Sequence, residues 1–229
     1  MRGLYAIADV TTLTARGVDI VAFVRALAPA KPAAIQLRAK DLSARETLAL
    51  LRALVPICRD AGVLLVANDR VDVAAVGGCD GVHLGQEDLP LASARRLAPH
   101  LRVGVSTHDL AQLGRALEER PDYVAYGPVY PTASKVAPDA VVGIAGLRAA
   151  YLLSRAAGIP LVAIGGITLE RGREVSTIAD AGAVIADLFP SPRWEQVELA
   201  QVTVRAERLH AALSAGADGG VRAEGVVAE

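Results

Sequence analysis

Aromatic side chains are scarce: two Phe, five Tyr and one Trp make up 3% of the 229 residues. Cysteine is scarcer still, with two, and methionine appears once. Charge is nearly balanced, 24 Lys and Arg against 25 Asp and Glu, for a formal net charge of -1. Each shortage excludes something. A near-neutral chain without a long basic run has no general field for nucleic acid. Cys58 and Cys79 are too few and too far apart for a staple or a metal cluster, so buried thiols are expected. No apolar run reaches the roughly 18 residues of a membrane span. The opening Met-Arg-Gly-Leu-Tyr enters a strand directly and lacks the regions of a secretory signal. A cytoplasmic protein without membrane or nucleic-acid partners is expected, with a homo-oligomer left open.

What is present is aliphatic. Hydrophobic residues make up 52% of the chain with few aromatics among them, so the core is built of Val, Leu, Ile and Ala, which suits buried parallel strands and their covering helices. Short apolar runs at 4–8, 33–37, 63–67, 81–84, 102–105, 123–127, 160–164 and 183–188 read as strands. Helical patterns lie between them. Ser43-Ala-Arg-Glu46 has capping-box spacing, and Leu51, Leu54, Val55 and Cys58 then mark one helical face. Other helices are expected over 18–27, 71–76, 90–98, 110–117 and 143–157, after Thr168 as N-cap, and over 194–213. Eight strands alternating with eight helices predict a single-domain α/β fold, a (β/α)8 TIM barrel over 1–213. A doubly wound open sheet is the competing architecture, and no strand carries a dinucleotide fingerprint. The Gly- and Ala-rich residues 214–229 have no core pattern and are expected to form a mobile tail.

Polar residues collect where strands end, the rim on which such barrels place their chemistry. Gln36, Arg38 and Lys40 alternate in an extended segment and so point to one side. A guanidinium and an ammonium there suit a diphosphate, or are simply solvated charge beyond a strand. Asp69 and Asp88 follow adjacent strands, where they either cap helices or share a divalent cation such as Mg²⁺. His83, inside a strand, reads as a packed, hydrogen-bonded histidine. Ser106-Thr107-His108 could offer hydroxyls to a phosphate, cap the helix near Asp109, or supply an acid or base in His108. Thr132-Ala-Ser134-Lys135 lies in a long loop after the sixth strand and suits phosphate. Ile164-Gly165-Gly166-Ile167 lets backbone amides approach an anion at a helix start.

Together these segments resemble the thiamine phosphate synthases. The resemblance runs in order from residue 4 to about 190. It is carried by Gln36-x-Arg38-x-Lys40, Asn68-Asp69-Arg70, Asp80-Gly-Val-His-Leu-Gly-Gln-Glu-Asp88, Gly104-Val-Ser-Thr-His108, Asp122-Tyr-x-x-x-Gly-Pro128, Thr132-x-Ser134-Lys135 and Val162-Ala-Ile-Gly-Gly-Ile167. It implies a TIM barrel that joins a hydroxymethylpyrimidine diphosphate to a thiazole phosphate with release of pyrophosphate. It further implies Mg²⁺ on Asp69 and Asp88, and diphosphate on Gln36, Arg38, Lys40, Asn68 and Lys135. Ser106 would lie beside the pyrimidine. The thiazole phosphate would meet Thr132, Ser134, the Gly166 backbone and the segment Ile185-Ala186. Two departures stand out: Ser134 replaces a threonine, and Ile185-Ala186-Asp187-Leu188 stands where Ile-Ser-Ala-Ile is usual. Asp187 would repel a bound phosphate unless it turns away. The alternatives are a thiazole tautomerase on the same barrel, working through a histidine in the segment of His108, and a non-catalytic sensor of thiamine intermediates.

Overall fold

The computed structural model describes residues 1–132, 139–189 and 198–217. Eight strands, β1 (Gly3–Asp9), β2 (Ala34–Arg38), β3 (Leu64–Asn68), β4 (Gly81–Leu84), β5 (Arg102–Thr107), β6 (Tyr123–Tyr126), β7 (Leu161–Ile164) and β8 (Ala181–Val184), pair in sequence order. All pairs are parallel, and β8 returns to β1 to close the barrel. Helices alternate with them: α1 (Val10–Ala15), α2 (Ile20–Leu27), α3 (Ala44–Ala61), α4 (Val71–Gly77), α5 (Leu91–Leu97), α6 (Leu110–Glu118), α7 (Gly143–Ala157), α8 (Leu169–Ser176) and α9 (Leu199–Ser214). The expected fold class is the one observed.

The twofold alternation of strand side chains divides the core in two. Leu4, Ala6 and Ala8 of β1, Ile35 and Leu37 of β2, and Leu65 and Ala67 of β3 pack outward against the helices. Tyr5, Ile7, Ala34, Val66, Tyr123, Ala125, Val162, Ala181 and Ala183 fill the barrel interior. By the same parity Gln36, Arg38, Asn68, His83 and Ser106 face inward near the carboxyl ends. Below them the opposite end is tied by carboxylates. Asp80, Asp122 and Asp180 each precede an even-numbered strand and accept an amide at the start of the preceding one, the second residue of β3 and β5 (Leu65 and Val103) and the first of β7 (Leu161), all at 2.8 Å.

The capping box of α3 forms as its spacing predicts: Ser43 and Glu46 each accept the other's amide. Four expectations need correction. β8 runs Ala181–Val184, not 183–188, because its first residues are small: a side chain at Gly182 would meet Leu213 of α9 at 2.5 Å. Ala186–Leu188 is a 3-10 turn. Val10–Ala15 is helical, since Asp9 ends β1 and also accepts the Thr12 amide as an N-cap. Thr168 stands at the N-cap position of α8 as expected, but its side chain makes no cap hydrogen bond. The closing helix α9 runs to Ser214 and passes into a turn at Ala215–Ala217; the rest of the expected tail lies outside the described residues.

Candidate active site

The carboxyl ends of the strands surround a cavity of about 920 Å³. Gln36, Arg38, Lys40, Asn68, Asp69, Asp88, Ser106, Thr132, Gly166, Ile185 and Ala186 all line it, as the strand-end reading predicts. Ser134 and Lys135 lie outside the described residues.

Asp69 and Asp88 meet on one side. The Asp69 amide bonds the His83 carbonyl at 2.8 Å, which couples the loop after β3 to β4. Asp69 itself has φ +64, a left-handed conformation in which Asp is tolerated better than most residues. Asp88 is held by the Gly85 amide, 2.6 Å from its Oδ2. Burial, and next the facing Asp88 carboxyl, push the Asp69 carboxyl up to about 6, against the pull of Lys40. The Lys40 ammonium lies 3.5 Å from Asp69. Two carboxyl groups in contact need a proton or a cation between them. Beside them, Asn68 Nδ2 is buried without a hydrogen-bond partner among the described residues.

Arg38 is not free. Its Nη1 donates to Asp9 at 2.5 Å, so the guanidinium is oriented from below by a buried carboxylate. Burial pushes the Asp9 carboxyl up, but hydrogen bonds from the Thr12 hydroxyl and amide, then Arg38, outweigh it and hold it below its ordinary value. This partner was not anticipated, although Asp9 shares its strand parity with Tyr5 and Ile7.

The barrel floor holds a buried polar chain. Gln36 Nε2 donates to the Tyr5 hydroxyl (3.0 Å), which is 2.9 Å from the Tyr123 hydroxyl. Tyr123 lies 3.0 Å from His83 Nδ1, and His83 Nε2 lies 2.8 Å from Ser106 Oγ. Burial holds the His83 imidazole down, to about 4, so it is neutral at pH 7. His83 is thus the packed, hydrogen-bonded residue its place in a strand predicts. Gly104 makes the arrangement feasible: a Cβ there would sit 2.0 Å from the Tyr123 ring.

The remaining segments sort themselves. Asp109 caps α6 by accepting the Gln112 amide, which leaves Ser106 to the cavity. His108 lines the cavity, with its Nδ1 held 2.8 Å from the Gly127 carbonyl and 3.5 Å from Asp139. Gly166 has φ +63, and a Cβ there would meet the Pro131 carbonyl at 2.6 Å. Asp187 does turn away: it accepts the Leu169 amide at 2.7 Å and pairs with Arg205 at 2.5 Å. It thereby does the capping expected of Thr168. Arg171, one turn into α8, donates to the Gly166 carbonyl at 2.6 Å and lies over the Tyr130 ring. It lines the cavity and was missed, since nothing but its place after Gly165-Gly166 marks it.

Residues 4–188 match the family model described as thiamine monophosphate synthase. The chain belongs to this family. It is 46% identical over 174 residues to the thiamine-phosphate synthase of Koribacter versatilis, covering 73% of this chain and 79% of that one. With that of Anaeromyxobacter dehalogenans it shares 40% over 201 residues, 87% and 86% of the two chains. A solved thiamine phosphate pyrophosphorylase from Pyrococcus furiosus superposes with a TM-score of 0.79 at 32% identity, covering 94% and 96%. Membership in the thiamine monophosphate synthase family thus agrees with the barrel and with the order of the rim residues.

Proposed function

We propose that this protein joins a hydroxymethylpyrimidine diphosphate to a thiazole phosphate, forming thiamine phosphate and pyrophosphate. The observation that carries the reading is the facing pair Asp69 and Asp88 beside Lys40 and Arg38, a paired acid and base set with no use in simple proton transfer. The donor set fits Mg²⁺, a hard cation usually held by one or two carboxylates and completed by water and phosphate oxygens. Asp69 and Asp88 would hold it, and when bound it would offset charge on the diphosphate.

The chain's own residues do the rest. Arg38, oriented by Asp9, and Lys40 attract the diphosphate; the Asn68 amide, without a partner among the described residues, supplies a hydrogen bond, and Lys135 a further charge, whereas the Gln36 amide nitrogen, expected on the diphosphate, is engaged by Tyr5. The methylene C–O bond breaks with its electron pair leaving on pyrophosphate. The electron-rich aminopyrimidine, beside Ser106, spreads the positive charge that remains. The thiazole nitrogen then forms the new C–N bond from its lone pair. Thr132, Ser134, the Gly166 backbone and the amides at Ile185-Ala186 hold the acceptor's phosphate. Asp187 does not oppose this, because its charge is spent on Arg205 and the start of α8. No protein nucleophile is required, and the rate comes from charge stabilisation and positioning.

The test is a coupling assay with both substrates. Pyrophosphate should appear with Mg²⁺ and stop on chelation; Asp88→Ala should abolish it, and His108→Ala should leave substantial activity. Turnover indifferent to metal would overturn the role given to Asp69 and Asp88. Activity lost with His108 but kept without Asp88 would favour a tautomerase, and binding without turnover a sensor.

A further inference from the structure

The chain Gln36–Tyr5–Tyr123–His83–Ser106 joins two cavity-lining residues on strands β2 and β5 through side chains that the coupling chemistry does not use. Gln36, Tyr5, Tyr123 and His83 are all buried, so each must satisfy its donors and acceptors inside the barrel. A hydroxyl has one proton to give. That restriction makes the chain directional.

Starting from Gln36, each bond fixes the next. The amide nitrogen is a donor only, so it uses a lone pair of the Tyr5 oxygen. The Tyr5 proton then goes to Tyr123, its other partner among the described residues. The Tyr123 proton must therefore point to His83 Nδ1. A neutral imidazole accepting at Nδ1 carries its proton on Nε2 and donates it to Ser106 Oγ. The Ser106 proton cannot point back at His83 and is left for the cavity. At the other end, a Gln36 amide whose nitrogen serves Tyr5 has its carbonyl left for a ligand. Turning the Gln36 amide over would reverse all four bonds together. The two ends are thus not independent: one is a donor when the other is an acceptor.

We infer that Tyr5, Tyr123 and His83 are positioning residues that set the hydrogen-bond polarity of the ring-binding face, with Ser106 presented as donor and Gln36 as acceptor. The ligand this selects is a nitrogen heterocycle that accepts at the Ser106 end and donates from an exocyclic amine at the Gln36 end. Identifying that ring as the aminopyrimidine rests on the proposed function; the polarity itself does not.

The tautomer of His83 reports the polarity directly. In protein labelled with ¹⁵N-histidine and free of substrate, with His83 assigned by comparison with His100→Gln, His108→Gln and His210→Gln variants, Nε2 should show the protonated shift and Nδ1 the unprotonated one. Tyr5→Phe cuts the link to Gln36 while keeping ring volume, so the two tautomers should mix. In the coupling assay this variant should lose about tenfold in kcat/KM for the pyrimidine substrate, the worth of one hydrogen bond, with KM for the thiazole phosphate within about twofold. An Nδ1-protonated His83 in the intact protein, or a tautomer untouched by Tyr5→Phe, would overturn the inference. If the tautomer behaves as stated but no coupling occurs, the polarity stands and the functional reading fails.

Discussion

Single carboxylates decide most of what is specific to this molecule, and they do so with opposite signs. Asp69 sits in left-handed backbone with Asp88 against it, and its carboxyl is pushed up to about 6, first by burial and then by that neighbour. In the absence of metal and phosphate it costs stability. Asn tolerates the same backbone and removes the charge, so Asp69→Asn should raise the apo-protein's stability by on the order of 1 kcal/mol, about 2–4 °C in Tm. The same variant should lose about 100-fold or more in turnover; a variant that melts earlier, or stays active, would contradict this account. Asp9 works the other way. Its folded value lies below that of an unfolded carboxyl, because the Thr12 and Arg38 hydrogen bonds outweigh burial. Its contribution is therefore complete above the unfolded value and disappears as pH falls through the folded one. Asp9→Asn should cost about 1–3 kcal/mol in urea titrations at pH 7, with the gap from the parent protein narrowing below about pH 4. A gap independent of pH would mean that Arg38 gains nothing from its partner. The pairing of Asp69 with Asp88 was legible in the sequence because both follow short strands; the hold of Asp9 on Arg38 was not, since 29 residues separate them.

At the level of elements, the strands were readable where a polar residue marks both ends. β4, between Asp80 and the Gly85 loop, runs Gly81–Leu84 as expected. β8 was displaced because its defining feature is smallness, the room that Gly182 leaves for Leu213, and a periodicity of bulk does not register that. Helix α8 shows a related failure: the threonine at its N-cap position makes no cap hydrogen bond, its side chain bonding Glu170, while a carboxylate from the turn after β8 takes the Leu169 amide. Caps supplied from another segment leave no local spacing to find. The Asp80, Asp122 and Asp180 staples have a signature visible once the barrel is known, an Asp just before each of β4, β6 and β8. Each satisfies an amide in the first two residues of the neighbouring strand. Asp122→Ala should thus leave the Val103 amide unsatisfied and cost about 1–3 kcal/mol. The denaturation midpoint should fall without a change in slope, and turnover per folded molecule in the coupling assay should be unaltered. Loss of turnover in folded protein would mean that these staples reach the far rim.

At the scale of the whole molecule, closure brings together what no local pattern announces. Tyr5 and Tyr123 are 118 residues apart and share a hydrogen bond only because β8 returns to β1 and Gly104 makes room for a ring. The site inherits its incompleteness from the same geometry. Two carboxylates and one amide without a partner among the described residues converge on a cavity of about 920 Å³, which is too few ligands to satisfy a hard cation alone and too much negative charge to welcome a bare diphosphate. Metal and pyrophosphate should therefore stabilise the fold synergistically. A ligand present at 100 times its dissociation constant adds about 2.7 kcal/mol, or roughly 5–10 °C in Tm for a chain of this length. Mg²⁺ with pyrophosphate should reach shifts of that order, while either alone at the same concentration should move Tm by no more than about 1–2 °C. Asp88→Ala should remove the synergy and keep a small response to pyrophosphate through Arg38 and Lys40. Equal, additive shifts from the two ligands would show that the acids and the bases act as separate sites, and the coupling of charge that the proposed reaction requires would be absent.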